Sequence, residues 1–190
     1  MSSPLPLLPG PLTLSALADY YAAQSQLIQQ GFEKTGEGTA VLHGRSELVD
    51  SLVVRLFQEF ISADAQAPSE LCLLALGGYG RRELFPHSDI DLLFLTGDES
   101  AQSTYNDAIA AFLRMLWDLG MRVGNTTHTM AECGRLYRDN LEFNVALLDL
   151  RYLAGNAALH TRLRSSVVPH MVARDRQDLV RNLVELTGQR

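Results

Sequence analysis

The chain has 190 residues, 46% of them hydrophobic, and a formal net charge of −6. That is enough apolar material for one domain with a real core, but it argues against a general nucleic-acid binder, which needs a basic face to neutralise phosphates: 22 acidic residues outnumber the 16 lysines and arginines, and Lys34 is the single lysine. No apolar run approaches the roughly 18 residues of a membrane span, and Cys72 and Cys133 are too few and too far apart for a zinc site or a disulfide framework, so the expected location is the cytoplasm.

Residues 1–11, Met-Ser-Ser-Pro-Leu-Pro-Leu-Leu-Pro-Gly-Pro, have no basic start and are broken by proline, which reads as a disordered leader and not a signal peptide. N-terminal helices are expected over 12–66. The first covers 12–31, with Leu14, Leu17, Tyr20, Tyr21, Leu27 and Ile28 at helical spacing and an interruption at Gly31. The second covers 39–62, with Leu48, Val49, Leu52, Val53, Leu56 and Phe57 on one side. Ala63–Ser69 is a linker containing Pro68. The core, 67–130, is expected to hold strands at 71–76 and 89–96, a helix at 101–119 and a strand at 121–128. Cys72, Met115 and Trp117 fall at core positions. From 131 to 190 the pattern turns helical (130–138, 141–154, 157–166, 168–188), with Asn140 and Asn156 as N-caps and Gly155 closing a helix. The segment stops at Arg190 inside a helical pattern, as a truncated piece would.

Chemistry concentrates in Leu73–Leu95, LLALGGYGRRELFPHSDIDLLFL. Side chains alternate along a strand, so Asp89 and Asp91 leave the same face, about 6–7 Å apart at the backbone. Two carboxylates opening a strand of Ile, Leu and Phe suit a pair of Mg²⁺ ions clamping a phosphoryl centre. Gly77, Gly78 and Gly80 permit close backbone approach, so that successive N–H groups cradle phosphates. Ser88 is placed to donate to a phosphate oxygen, Arg81 and Arg82 to neutralise phosphate charge, and Tyr79 lies inside the glycine loop. A Walker A loop is excluded because no Gly-Lys-Ser/Thr occurs. A dinucleotide fingerprint is excluded because position 83 is Glu and the loop leads into a strand.

Gly77-Gly78-Tyr79-Gly80-Arg81, Glu83-Leu84, Pro86 and Ser88-Asp89-Ile90-Asp91-Leu92 together resemble the signature of DNA polymerase β-type nucleotidyltransferases. Within them, the chain is similar to the N-terminal domain of bacterial PII-uridylyltransferase/uridylyl-removing enzymes. Gly44–Asp50, Leu116–Gly120 with Val123-Gly124, and Asp149–Gly155 resemble further segments of that family. Arg82 stands where the family has another glycine, and Gly124–Thr129 replaces a segment that carries a basic residue. The resemblance implies an α/β (α+β) fold: a polymerase β-like nucleotidyltransferase core whose short mixed sheet carries helices on one face, with an N-terminal helix pair and a C-terminal helical segment.

It also implies Mg²⁺-dependent transfer of UMP from UTP to a tyrosine of a PII-type nitrogen-signalling protein. Asp89 and Asp91 would be the catalytic metal ligands, and Gly77, Gly78, Tyr79, Arg81, Arg82 and Ser88 would bind nucleotide. The alternatives are another branch with a different nucleotide or acceptor, and a regulatory module that holds nucleotide without turnover. No His-Asp dipeptide occurs, so the uridylyl-removing activity of the full-length family is not expected here.

The superfamily adds a third carboxylate from a neighbouring strand, but 124–128 carries none; the resemblance implies that a Gly-, Arg- and Asp-rich segment downstream of Arg190 supplies it. Glu132 and Asp149 are the in-chain candidates. A Thr-x-x-Glu capping box from Thr129 accounts for Glu132, and pairing with Arg151 or a neighbour at helical spacing accounts for Asp149. His87 reads as an exposed loop residue beside Ser88, and His128 as a residue that either faces the site or packs.

Overall fold

The computed structural model describes residues 12–62, 70–135 and 140–188. The expected leader, the linker and the end of a helix over 130–138 lie wholly or partly outside them.

Helix α1, Leu14–Thr35, starts where the Thr13 hydroxyl accepts from the Ala16 amide and stops at Gly36, whose φ of 70° closes the last turn. It runs through Gly31, a residue that weakens a helix without breaking it. Helix α2, Gly38–Phe60, buries Leu48, Val49, Leu52, Val53, Leu56 and Phe57 as one stripe.

Four strands follow: β1 (Leu71–Ala75), β2 (Ile90–Thr96), β3 (Val123–Thr129) and β4 (Arg151–Gly155), in the order β3-β2-β1-β4. Strand β1 is antiparallel to both β2 and β4, and β2 is parallel to β3. The parallel pair requires a crossover, supplied by α4 (Glu99–Asp118), whose N-cap Asp98 accepts from the Ala101 amide. The sheet is covered on both sides, not one. Leu71, Leu73, Ile90, Leu92 and Phe94 pack with α2 and α4. The alternate residues Cys72, Leu74, Leu93 and Leu95 pack under α5 (Met130–Cys133), α6 (Leu141–Ala146) and the turns after β4. Burial raises both cysteine thiols to about 12, so they remain protonated core residues.

Strand β4 corrects the expected helix over 141–154. Helix α6 does start at Asn140, whose side chain accepts from the Phe143 amide. It tightens into a 3₁₀ turn at Leu147–Asp149, and Leu150 then turns extended (φ −75°, ψ 141°). The sequence carries no helix-breaking residue before Gly155, and pairing with the open edge of β1 decides the second half of this segment. Gly155 ends this strand and not a helix: its φ is 85°, and a Cβ there would stand 2.2 Å from the Leu71 carbonyl oxygen. Beyond it, α7 (Ala157–Arg162), capped by Asn156, passes through a π-helical stretch at Leu163–Val167 into α8 (Val168–Gly188). Trp117, expected in the core, is 51% exposed.

Candidate active site

The glycine loop is a single helical turn, α3 (Gly77–Gly80), between β1 and the segment leading to β2. It begins because Leu76 is still extended, its amide donating to the Asp91 carbonyl at 3.0 Å, while Gly77 adopts φ 55°. The Gly80, Arg81 and Glu83 amides then bond back to Leu76, Gly77 and Gly78. A helix supplies no internal partner for its first amides, so those of Gly77, Gly78 and Tyr79 form the donor end of the turn. Gly80 is fixed by space: a Cβ there would lie 1.7 Å from the Asp149 carbonyl oxygen.

Asp91 lies on β2, on the face shared with Leu93 and Leu95, and Asp89 stands just before the strand; both are exposed. One glycine makes room for the Asp91 carboxylate: a Cβ on Gly124, its neighbour across the parallel pair, would approach Oδ1 to 2.5 Å, whereas a Cβ on Gly77 would stand in ordinary contact with Oδ2 at 3.8 Å. Partial desolvation, then the charge of Asp89, then that of Glu142, raise the Asp91 carboxyl above its ordinary value. This donor set suits Mg²⁺, which takes one or two carboxylates and completes its shell with water and phosphate oxygens. Among the described residues no cluster of three His, Cys, Asp or Glu side chains stands ready to hold a metal ion.

The remaining predicted residues divide. Ser88 is exposed beside Asp89. Arg81 lies at the turn but forms ion pairs with Glu83 and Asp149. Arg82, at φ 64°, has Glu47 3.9 Å away. The Tyr79 side chain turns inward: it is 1% exposed, and its hydroxyl donates to Asp50 Oδ1 at 2.7 Å. Burial first, then Asp50, push its phenol well above the ordinary value, so it stays a donor. Its side chain is therefore turned away from any ligand on the loop.

The model of the family described as nucleotidyltransferase DUF294 matches residues 22–144, the stretch that carries the glycine turn, Asp89 and Asp91. The chain belongs to this nucleotidyltransferase family. It is 37% identical over 155 residues to a bifunctional uridylyltransferase/uridylyl-removing enzyme of Burkholderia vietnamiensis, covering 81% of the chain and 17% of the relative. It is 37% identical over 138 residues to the enzyme of that name from Pseudomonas putida F1 (73% and 15%). With that from Nitrosospira multiformis it shares 32% over 157 residues (80% and 17%). The chain thus spans about one-sixth of the length of these relatives.

In this DUF294 member the two expected candidates for a third acid are engaged elsewhere. Glu132 closes the capping box of α5, accepting from the Thr129 amide at 2.7 Å, with His128 Nδ1 3.6 Å away. Those hydrogen bonds hold its carboxyl below the ordinary value. The Asp149 carboxylate pairs with Arg81 and not with Arg151. His128 is partly buried on β3 and packs against Phe143, with ring centroids 4.4 Å apart. Besides Asp89, Glu142 on the first turn of α6 adds its charge at Asp91. Sequence reading did not single it out. It also missed Asp50 and Arg151, which pair at 2.7 Å behind the glycine turn. Both sit in segments that carried the family resemblance, and that was the available signal. A hollow of about 820 Å³ between α1, α2 and Phe85–His87 is lined by neither Asp89 nor Asp91.

Proposed function

We propose that this chain transfers a nucleoside monophosphate from a nucleoside triphosphate to a hydroxyl acceptor, with UMP from UTP onto a tyrosine of a PII-type protein as the specific reading. The observation that carries it is the placement of the Asp91 carboxylate between Gly77 at the donor end of α3 and Gly124 of β3, with Asp89 beside it. The names of the relatives support uridylyl transfer.

In this reading Asp89 and Asp91 hold Mg²⁺. Bound divalent ions would polarise the attacking oxygen and offset charge on the departing pyrophosphate. The Gly77 and Gly78 amides and the Ser88 hydroxyl bind phosphate oxygens, fixing the triphosphate for in-line attack. Arg81, drawn from Glu83 and Asp149, turns to the phosphates as they arrive and counters charge in the transition state.

The test is calorimetric titration of UTP, ATP, GTP and CTP with Mg²⁺ into the wild type and the Asp89→Asn/Asp91→Asn variant. Metal-dependent binding that favours UTP and disappears in the variant supports the proposal. Binding that is indifferent to the two aspartates refutes the site. Binding without turnover on any hydroxyl acceptor assigns the chain the regulatory role.

A further inference from the structure

We infer that Asp50, Arg151 and the Tyr79 hydroxyl form a positioning unit that holds the glycine turn from behind and aims its amides at the nucleotide. The inference rests on the nucleotide-transfer reading and extends it to residues that never touch the substrate.

The Arg151 guanidinium spends its donors on two targets. Nη1 and Nη2 grip the Asp50 carboxylate at 2.7 and 3.0 Å, while Nε and Nη2 donate to the Gly80 and Tyr79 carbonyls, each at 3.1 Å. Tyr79 completes the circuit through its hydroxyl bond to Asp50, and the guanidinium stands 5.2 Å from its ring centroid. The pair is largely shielded, with side chains 18% and 20% exposed. Three elements distant in sequence, α2, α3 and β4, are thereby tied at one point.

Direction gives the arrangement its meaning. In a helical turn, carbonyls point toward the C-terminal end and amides toward the N-terminal end. Arg151 holds the carbonyl end of α3, and Asp91 lies beside Gly77 at the amide end. Fixing the two carbonyls fixes the orientation of peptide groups in a turn rich in glycine, which has little stiffness of its own. A lysine would keep the charge but could not supply the fork to a carboxylate and two carbonyls together.

The experiment combines hydrogen exchange of the amides of 77–83 with titration of Mg²⁺ and the four nucleoside triphosphates. The proteins are the wild type, Arg151→Lys, Asp50→Asn and Tyr79→Phe. Expected are faster exchange in 77–83, beyond any change in β1 or β2, and nucleotide affinity lowered roughly 10–100-fold, the usual effect of losing a group that orients a direct ligand. Should Arg151→Lys fail to fold, Tyr79→Phe decides, since it removes a single hydroxyl: the same two shifts in smaller measure support the unit. Wild-type exchange and affinity in the folded variants overturn it. A wild type that binds none of the nucleotides overturns the nucleotide-transfer reading. The exchange arm then still decides whether these residues hold the turn.

Discussion

Gly124 faces Asp91 across the parallel β2–β3 pair, and the hydrogen in place of a side chain there is what admits the carboxylate: a Cβ would come within 2.5 Å of Oδ1. Gly124→Ala is therefore expected to push the Asp91 side chain out of place while leaving the hydrophobic core untouched. A displacement near 1 Å in a catalytic group can cost on the order of 100-fold in rate. Nucleotide binding and transfer should fall steeply in Gly124→Ala, with a melting temperature close to that of the wild type. Full activity in this variant would show that the Asp91 position is not critical.

Asp91→Asn carries a stability signature as well as a catalytic one. The folded carboxyl is raised by desolvation and by Asp89, so the folded state binds more protons than the unfolded state between the ordinary Asp value, about 3.9, and the raised value. Stability at this position thus falls as pH rises through that window. Asp91→Asn should melt higher than the wild type at neutral pH, and the advantage should vanish below the ordinary Asp value. Transfer should be lost throughout. Melting curves across pH, paired with nucleotide titrations, check both halves.

Much of this site was legible because its parts are local. Alternation along β2, the glycine run and the Thr129–Glu132 box each depend on spacing within a few residues; the strand, the turn and the box form there, although β2 starts at Ile90 and leaves Asp89 just outside it. Strand β4 was not legible: Leu141–Gly155 has no helix breaker before its last residue, and the switch to strand at Leu150 depends on the open edge of β1, some 75 residues away in the chain. The partners of Asp50, Tyr79 and Arg151 were hidden for the same reason, since hydrogen bonds spanning 29, 72 and 101 positions leave no periodic trace. Asp149 was expected to pair with Arg151 or a neighbour at helical spacing; with β4 in place of a helix that spacing means nothing, and Asp149 meets Arg81.

Glu132 should act through stability and not through transfer. In the capping box Thr129 Oγ1 accepts from the Glu132 amide while the Glu132 carboxylate accepts from the Thr129 amide. Thr129→Ala should cost about 0.5–2 kcal/mol of stability. The Glu132 carboxyl is lowered in the folded state, so its contribution is complete above the ordinary Glu value and is lost as pH falls through the folded value. Glu132→Gln should accordingly melt lower at neutral pH, converge with the wild type in acid, and retain transfer. Loss of transfer in a folded Glu132→Gln would return the third acidic role to it.

Gly78 and Gly80 are two residues apart in α3, yet they should respond differently to alanine. At Gly80 a Cβ would overlap the Asp149 carbonyl oxygen, a backbone atom that cannot swing aside. Gly80→Ala must move either α3 or the turn before β4, at a cost of about 1–3 kcal/mol for overpacking, and it should weaken the Arg151 bonds to both carbonyls. At Gly78 a Cβ would meet the Glu83 carbonyl oxygen at 3.5 Å, an ordinary contact, so Gly78→Ala should fold like the wild type. If phosphates approach the backbone here, that methyl group will still intrude on them, and nucleotide affinity should drop without loss of stability. Urea unfolding of the two variants, set beside their nucleotide titrations, separates a glycine kept for packing from one kept for the ligand. Undiminished affinity in a stable Gly78→Ala would argue that the phosphates bind elsewhere than on the donor end of α3.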